Sequence, residues 1–131
     1  MNLLLDTNIF LEIILEQERA ADAKNLLSKI NEHNFFISHY SLHSIGTLLF
    51  YKKKFDTFQV FIQEILIDAG VELLSLSIEE LSSLHKVSLK YNLDFDDSYQ
   101  YATAENHNLT IVSFDGDFDS TEKKRKEPNK I

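Results

Sequence analysis

Leu3-Leu4-Leu5 is apolar at every position and is stopped by Asp6. A strand with one wet face alternates, so uniform apolarity over so short a run marks a strand buried on both faces. Such strands belong to parallel sheets covered by helices. Further strands are read at Phe35-Phe36-Ile37, at Val71 to Leu76 and at Thr110-Ile111-Val112. Parallel neighbours need long crossovers, and each gap between these runs carries helical spacing. The expected fold class is α/β, a three-layer α/β/α arrangement around a mostly parallel central sheet.

The intervening segments supply the helices. Ile9, Phe10, Ile13 and Ile14 share a face, with Thr7 or Asn8 available as the cap. Ala20, Ala23, Leu27 and Ile30 define a second helix from about Arg19 to Ile30. Ser41 can cap a third, with Leu42, Ile45 and Leu49 inward. Phe58, Phe61, Ile62, Ile65, Leu66 and Ala69 recur at steps of three and four, and Gly70 is a natural stop. Ser77 with Glu80 makes a capping box ahead of Ile78, Leu81 and Leu84. Asp94 caps the last helix, about Phe95 to Asn106.

Composition closes off several classes. With no cysteine, disulfides, thiolate zinc sites and cysteine nucleophiles are excluded. The N-terminal apolar run lacks a basic leader, and no stretch approaches the roughly 20 apolar residues of a membrane helix. The expectation is a soluble cytoplasmic protein with no membrane partner. Thirteen basic residues against 21 acidic ones give a formal charge of −8, which argues against coating nucleic acid with a basic surface. It leaves open an enzyme that holds nucleic acid through bound cations.

The placement of the acids is more telling than their number. In an open parallel sheet, ligand sites lie outside the carboxyl ends of the strands. Asp6 follows the first strand directly, and Asp115 and Asp117 follow the last. Asp94, Asp96 and Asp97 open the helix leading into that last strand, at the same edge. Carboxylates so gathered repel one another unless a cation joins them. All-oxygen ligands suit Mg²⁺ or Mn²⁺, which can activate water for attack on a phosphodiester. Taken singly, Asp94, Asp96 and Asp97 serve equally well as partners of a helix dipole, and Asp115 and Asp117 as turn residues.

In this order the motifs resemble the PIN-domain family from Met1 to about Phe118. The resemblance rests on Leu3-Leu4-Leu5-Asp6-Thr7-Asn8, on Leu93 four residues before Asp97-Ser98 with Ala102 and Ala104 beyond, and on Ser113-Phe114-Asp115-Gly116-Asp117-Phe118. It implies a PIN-like domain over residues 1–119 that is a metal-dependent ribonuclease, often the toxin of a VapC-like toxin–antitoxin pair. Carried over by position, Asp6, Asp97 and Asp115 would be catalytic and hold Mg²⁺ or Mn²⁺ with Asp117 assisting, while Asn8 and Ser113 would support them. The implied partners are RNA and an antitoxin protein.

One position departs from the family pattern. Ile37-Ser38-His39-Tyr40-Ser41-Leu42-His43-Ser44 puts Ser44 where a Glu is usual. A catalytically degenerate PIN-fold protein that acts as a binding or assembly partner is therefore the alternative. His39 and His43 are four apart, but a helix starting at Ser41 would separate them and remove the sense of a zinc pair. Asp115-x-Asp117-x-Asp119 begins like a calcium loop and then fails it at Ser120 and Lys126. Lys52 to Lys54 and Lys123 to Lys126 are candidate phosphate contacts or simply solvated runs. Phe50, Tyr51, Phe55, Phe58 and Phe61 exceed what one sheet face hides, and the family commonly pairs through such helices, so a homodimer is expected. Residues 120–131 read as a polar, basic, flexible tail.

Overall fold

A computed structural model describes residues 1–131 and shows four strands in one parallel sheet, ordered β3-β2-β1-β4. β1 (Asn2–Leu5) lies between β2 (Asn34–Ser38) and β4 (Thr110–Val112), and β3 (Glu72–Leu74) adds outside β2. The pleat divides β1 between two cores. Leu3 and Leu5 face one side with Phe35, Ile37 and Val112, and Leu4 faces the other with Ile111. All three leucines are fully buried, and each such side chain contributes about 1.5–3 kcal/mol.

Helices cover both faces. α1 (Thr7–Ile14), α2 (Ala20–Leu27), α3 (His39–Tyr51) and α4 (Phe55–Phe61) pack Ile9, Phe10, Leu26, Ile45, Leu49 and Phe61 against the Leu3–Leu5 side. α5 (Ile78–Ser82), α6 (Leu84–Tyr91) and α7 (Phe95–His107) follow β3, and α7 lays Tyr101 and Ala104 on the Leu4 side. The chain moves outward from β1 to β2 to β3 and then returns to β4 on the opposite flank of β1. The sheet therefore has its topological switch between β1 and β4, where open parallel sheets place ligands.

Four local expectations need correction. α3 begins at His39, not at Ser41, because the Ser38 hydroxyl accepts from the Ser41 amide and caps the helix one turn earlier. The periodic segment after Thr57 is α4 followed by a π-helical stretch, Ile62–Asp68, which ends before Gly70 at φ +70°. The Ser77–Glu80 capping box is present, but the helix breaks at Ser83. Ile78 and Leu84 consequently do not share a face: Leu84 is buried and Ile78 is 81% exposed.

The fourth correction concerns residues 120–131, which are folded back instead of frayed. Lys126 donates its amide to the Ile111 carbonyl at 2.8 Å and accepts from the Ser113 amide at 3.1 Å. Thr121 and Pro128 are buried, and the Lys29 ammonium reaches the Ile131 carbonyl oxygen at 2.9 Å. The segment covers the free edge of β4, which would otherwise offer unpaired backbone groups.

Candidate functional site

Asp6 leaves the end of β1 and caps α1, accepting from the Thr7 amide at 2.8 Å. Only 8% of it is exposed, so its carboxylate needs donors, and it has them. The Ser113 hydroxyl donates at 2.7 Å, the Gln100 amide at 2.9 Å and the Asn8 amide at 3.5 Å. Asn8 also donates to Ser113 Oγ at 3.0 Å and accepts from the Phe114 amide at 3.2 Å. Asn8 and Ser113 thus stitch the end of β1 to the end of β4, across the switch point.

The other acids arrive from two directions. α7 starts at the same rim because Asp94 caps it, accepting from the Asp97 amide at 3.0 Å, and this turn presents Asp96 and Asp97. Beyond β4, the Asp115 amide donates to Ser113 Oγ at 2.9 Å, and the Asp115 carboxylate accepts from the Asp117 amide at 2.9 Å. One carboxylate oxygen each from Asp97, Asp115 and Asp117 lie within 4.8 Å of one another. Asp6 stands beside this trio in the wall of a cavity of about 220 Å³ shared with Asp97 and Asp115.

Crowded, half-dry carboxylates resist ionisation. Burial, reinforced by Asp94, Asp6, Asp115 and Asp117, pushes the Asp97 carboxyl up to about 7. Burial also raises Asp6 above its ordinary value, against the opposing hydrogen bonds from Ser113, Gln100 and Thr7. The donor set is all oxygen, and its unrelieved repulsion is what a hard divalent cation neutralises, so these residues fit such an ion.

Ser44 lines the same cavity. It sits in the second turn of α3, not the third helical position expected from a start at Ser41. His39 and His43, expected to be separated by that start, share α3 with ring centroids 4.4 Å apart. No further histidine or acid completes a triad around them. Lys52 to Lys54 are exposed at the far end of α3, about 18 Å along its axis from Tyr40 at the cavity. Phe61 is buried against Phe10 at a 5.6 Å centroid distance and takes no part in the surface, whereas Phe50, Tyr51 and Phe55 are exposed.

Three residues had been given no role at the site from sequence. Gln100, almost fully buried, donates through Nε2 to both Asp6 and Ser41 Oγ, while its carbonyl oxygen has no partner. Its signal was position: it lies one turn after Asp96 and Asp97 on α7. Tyr40 lines the cavity wall, and burial beside Asp96 raises its hydroxyl to about 12. Arg125 donates to the Ser113 carbonyl at 3.1 Å and pairs with Asp119 at 3.2 Å, bracing the loop that carries Asp115 and Asp117.

No curated protein matches this sequence. Among solved structures, similar chains occur in VapBC2 from Rickettsia felis bound to a DNA fragment from their promoter (18% identity, TM-score 0.75, covering 97% of this chain and 98% of that one). Another lies in a toxin–antitoxin complex from Klebsiella pneumoniae (19%, 0.71, 95% and 96%). A third is Mycobacterium tuberculosis VapC20, described as a sarcin–ricin loop cleaving toxin (16%, 0.74, 90% and 93%). At these identities the likeness establishes the fold. The family profile described as the PIN domain matches residues 3–124, and with that match over nearly its whole length the chain belongs to the PIN domain family.

Proposed function

We propose that this protein is a divalent-metal-dependent endoribonuclease, acting in the cytoplasm as the toxin of a toxin–antitoxin pair. The observation that carries the reading is the approach of the Asp97, Asp115 and Asp117 carboxylates to within 4.8 Å, with Asp6 beside them at the switch point. The ligands would be Asp6, Asp97, Asp115 and Asp117, and the cation Mg²⁺ or Mn²⁺. When bound, it supplies an activated water and charge neutralisation at a phosphodiester. The protein's own contribution is rigidity. Ser113, Asn8 and Gln100 hold Asp6 in one orientation, and Asp94 sets the first turn of α7 that aims Asp97. The similar chains found in toxin–antitoxin complexes support a cognate antitoxin partner, and the exposed Phe50, Tyr51 and Phe55 support a homodimer.

Purified protein should cleave RNA with added Mn²⁺ and stop with chelator, and Asp6→Asn and Asp97→Asn should each abolish cleavage. Cleavage persisting unchanged in both variants would place the activity elsewhere.

A second reading has its own observation: Ser44 lines the cavity where the family pattern has Glu. On that reading the chain is a degenerate PIN-fold protein that acts by binding. Ser44→Glu adds the missing carboxylate, and hard cations respond chiefly to ligand charge. On the nuclease reading this substitution tightens Mn²⁺ binding and raises cleavage. No Mn²⁺ binding at millimolar metal in the native protein favours the degenerate reading.

A further inference from the structure

We propose that Phe95 and Tyr40 form a stacking platform for an unpaired nucleobase of the strand whose phosphate enters the acidic cavity. The inference rests on the nuclease reading and adds to it a base-stacking subsite beside the acidic cavity. Phe95 is the first residue of α7, two positions before Asp97, and is 59% exposed. Its ring meets Tyr40 at a 6.0 Å centroid distance and 67°, and Tyr40 itself lines the cavity. Beneath both lies Tyr99, 6.0 Å from Tyr40 and 6.2 Å from Phe95. Tyr99 is buried and accepts from the Leu76 amide at 3.1 Å, so the base of the platform is anchored. An apolar ring exposed beside a set of carboxylates that would hold a cation suits a partner that is flat, apolar on its face and tied to an anion. A nucleotide is such a partner.

Charge points the same way. The cavity wall contains Asp6, Asp96, Asp97 and Asp115 and no lysine or arginine, and the chain carries a net charge of −8. Salt links to the phosphate backbone therefore supply little affinity here. Stacking is indifferent to the sign of the surrounding charge and contributes about 1–3 kcal/mol per base, or about 5- to 150-fold in affinity. A base in a duplex has both faces covered, so the platform selects unpaired strands.

The test compares Phe95→Leu, which keeps an apolar side chain but loses the π-face, with Phe95→Trp and the native protein. Substrates are short single-stranded oligoribonucleotides with Mn²⁺, intact or abasic at each position around the cut. A 2-aminopurine reporter is read in the native protein and in Phe95→Leu, neither of which contains tryptophan, and Phe95→Trp is compared by its KM alone. Phe95→Leu should raise KM about 5- to 150-fold on intact strands with kcat little changed. Phe95→Trp should retain the native KM, and both variants should bind Mn²⁺ normally. One abasic position should impose the same penalty on the native protein and none on Phe95→Leu. Equal KM for Phe95→Leu and native protein, or an equal loss on intact and abasic strands, overturns the platform alone. So does a Phe95→Leu variant whose only change is its oligomeric state or its hold on a protein partner. Native protein that neither binds nor cleaves RNA overturns the nuclease reading together with the platform.

Discussion

Asp97 holds its proton in the folded protein up to about pH 7, against 3.8 for a free aspartate, because it is buried among Asp94, Asp6, Asp115 and Asp117. Between those two values the native state carries more protons than the unfolded chain. The sign follows: without metal, this group makes stability fall as pH rises through that window, and below it the penalty vanishes. Thermal unfolding in chelator should therefore show Asp97→Asn more stable than the native protein at pH 8 and nearly equal to it at pH 4. Added Mn²⁺ should raise the melting temperature of the native protein at pH 8 and leave that of Asp97→Asn little changed. Gln100 acts in the opposite sense. Gln100→Leu withdraws a donor from a buried carboxylate and from Ser41, and should cost about 1–3 kcal/mol in denaturant unfolding. It should also weaken Mn²⁺ binding, since Asp6 would then hold its proton more tightly. A variant with native Mn²⁺ affinity would show that Gln100 serves packing alone.

At the scale of elements, the site depends on how the C-terminal segment is held. Arg125 gathers the Ser113 carbonyl, Asp119 and Glu127, and the backbone of Lys126 adds to β4. Arg125→Met should release the loop between β4 and the short 3-10 helix Gly116–Ser120. Hydrogen bonds to charged groups are worth about 1.5–3 kcal/mol, so a loss near the low end of that range is expected, because the Asp119 side of the pair is exposed. Mn²⁺ affinity should fall with it. Truncation after Thr121 should go further, exposing the edge of β4 and promoting aggregation, as size-exclusion chromatography would show. Composition concealed this segment. Its lysines are what a frayed tail would carry, yet the backbone between them makes the hydrogen bonds, and backbone groups leave no mark in composition.

At the scale of the molecule, Phe50, Tyr51 and Phe55 leave an aromatic surface on α3 and α4, with Phe50 in edge contact with Phe55 at 5.0 Å and with Phe58 at 5.4 Å. The proposed homodimer would use this patch. Light scattering should give about twice 15.2 kDa at micromolar concentration, and Tyr51→Glu should return it to a single chain without changing Mn²⁺ binding. A native mass near 15.2 kDa would remove the dimer.

Much of this was legible along the chain. A both-faces-buried strand has to be apolar throughout, so Leu3-Leu4-Leu5 announced a parallel sheet, and Asp6 at its end pointed to the cavity that it lines. The first turn of α7 and the loop after β4 were likewise visible as local clusters of acids. Local chemistry is written locally. What tertiary structure alone decided is which distant groups meet. Gln100 reaches Asp6 and Ser41, Phe95 leans on Tyr40, and Arg125 braces Ser113. The start of α3 at His39, capped by Ser38, was also a tertiary matter, because Ser41, locally a plausible cap, is instead tied to Thr7 and Gln100. Each of these contacts joins segments whose relative position is set by the order β3-β2-β1-β4. No spacing within one segment encodes that order, since it follows from which strands the helices of both faces cover: β1 is central and buried, whereas β3 is an exposed edge.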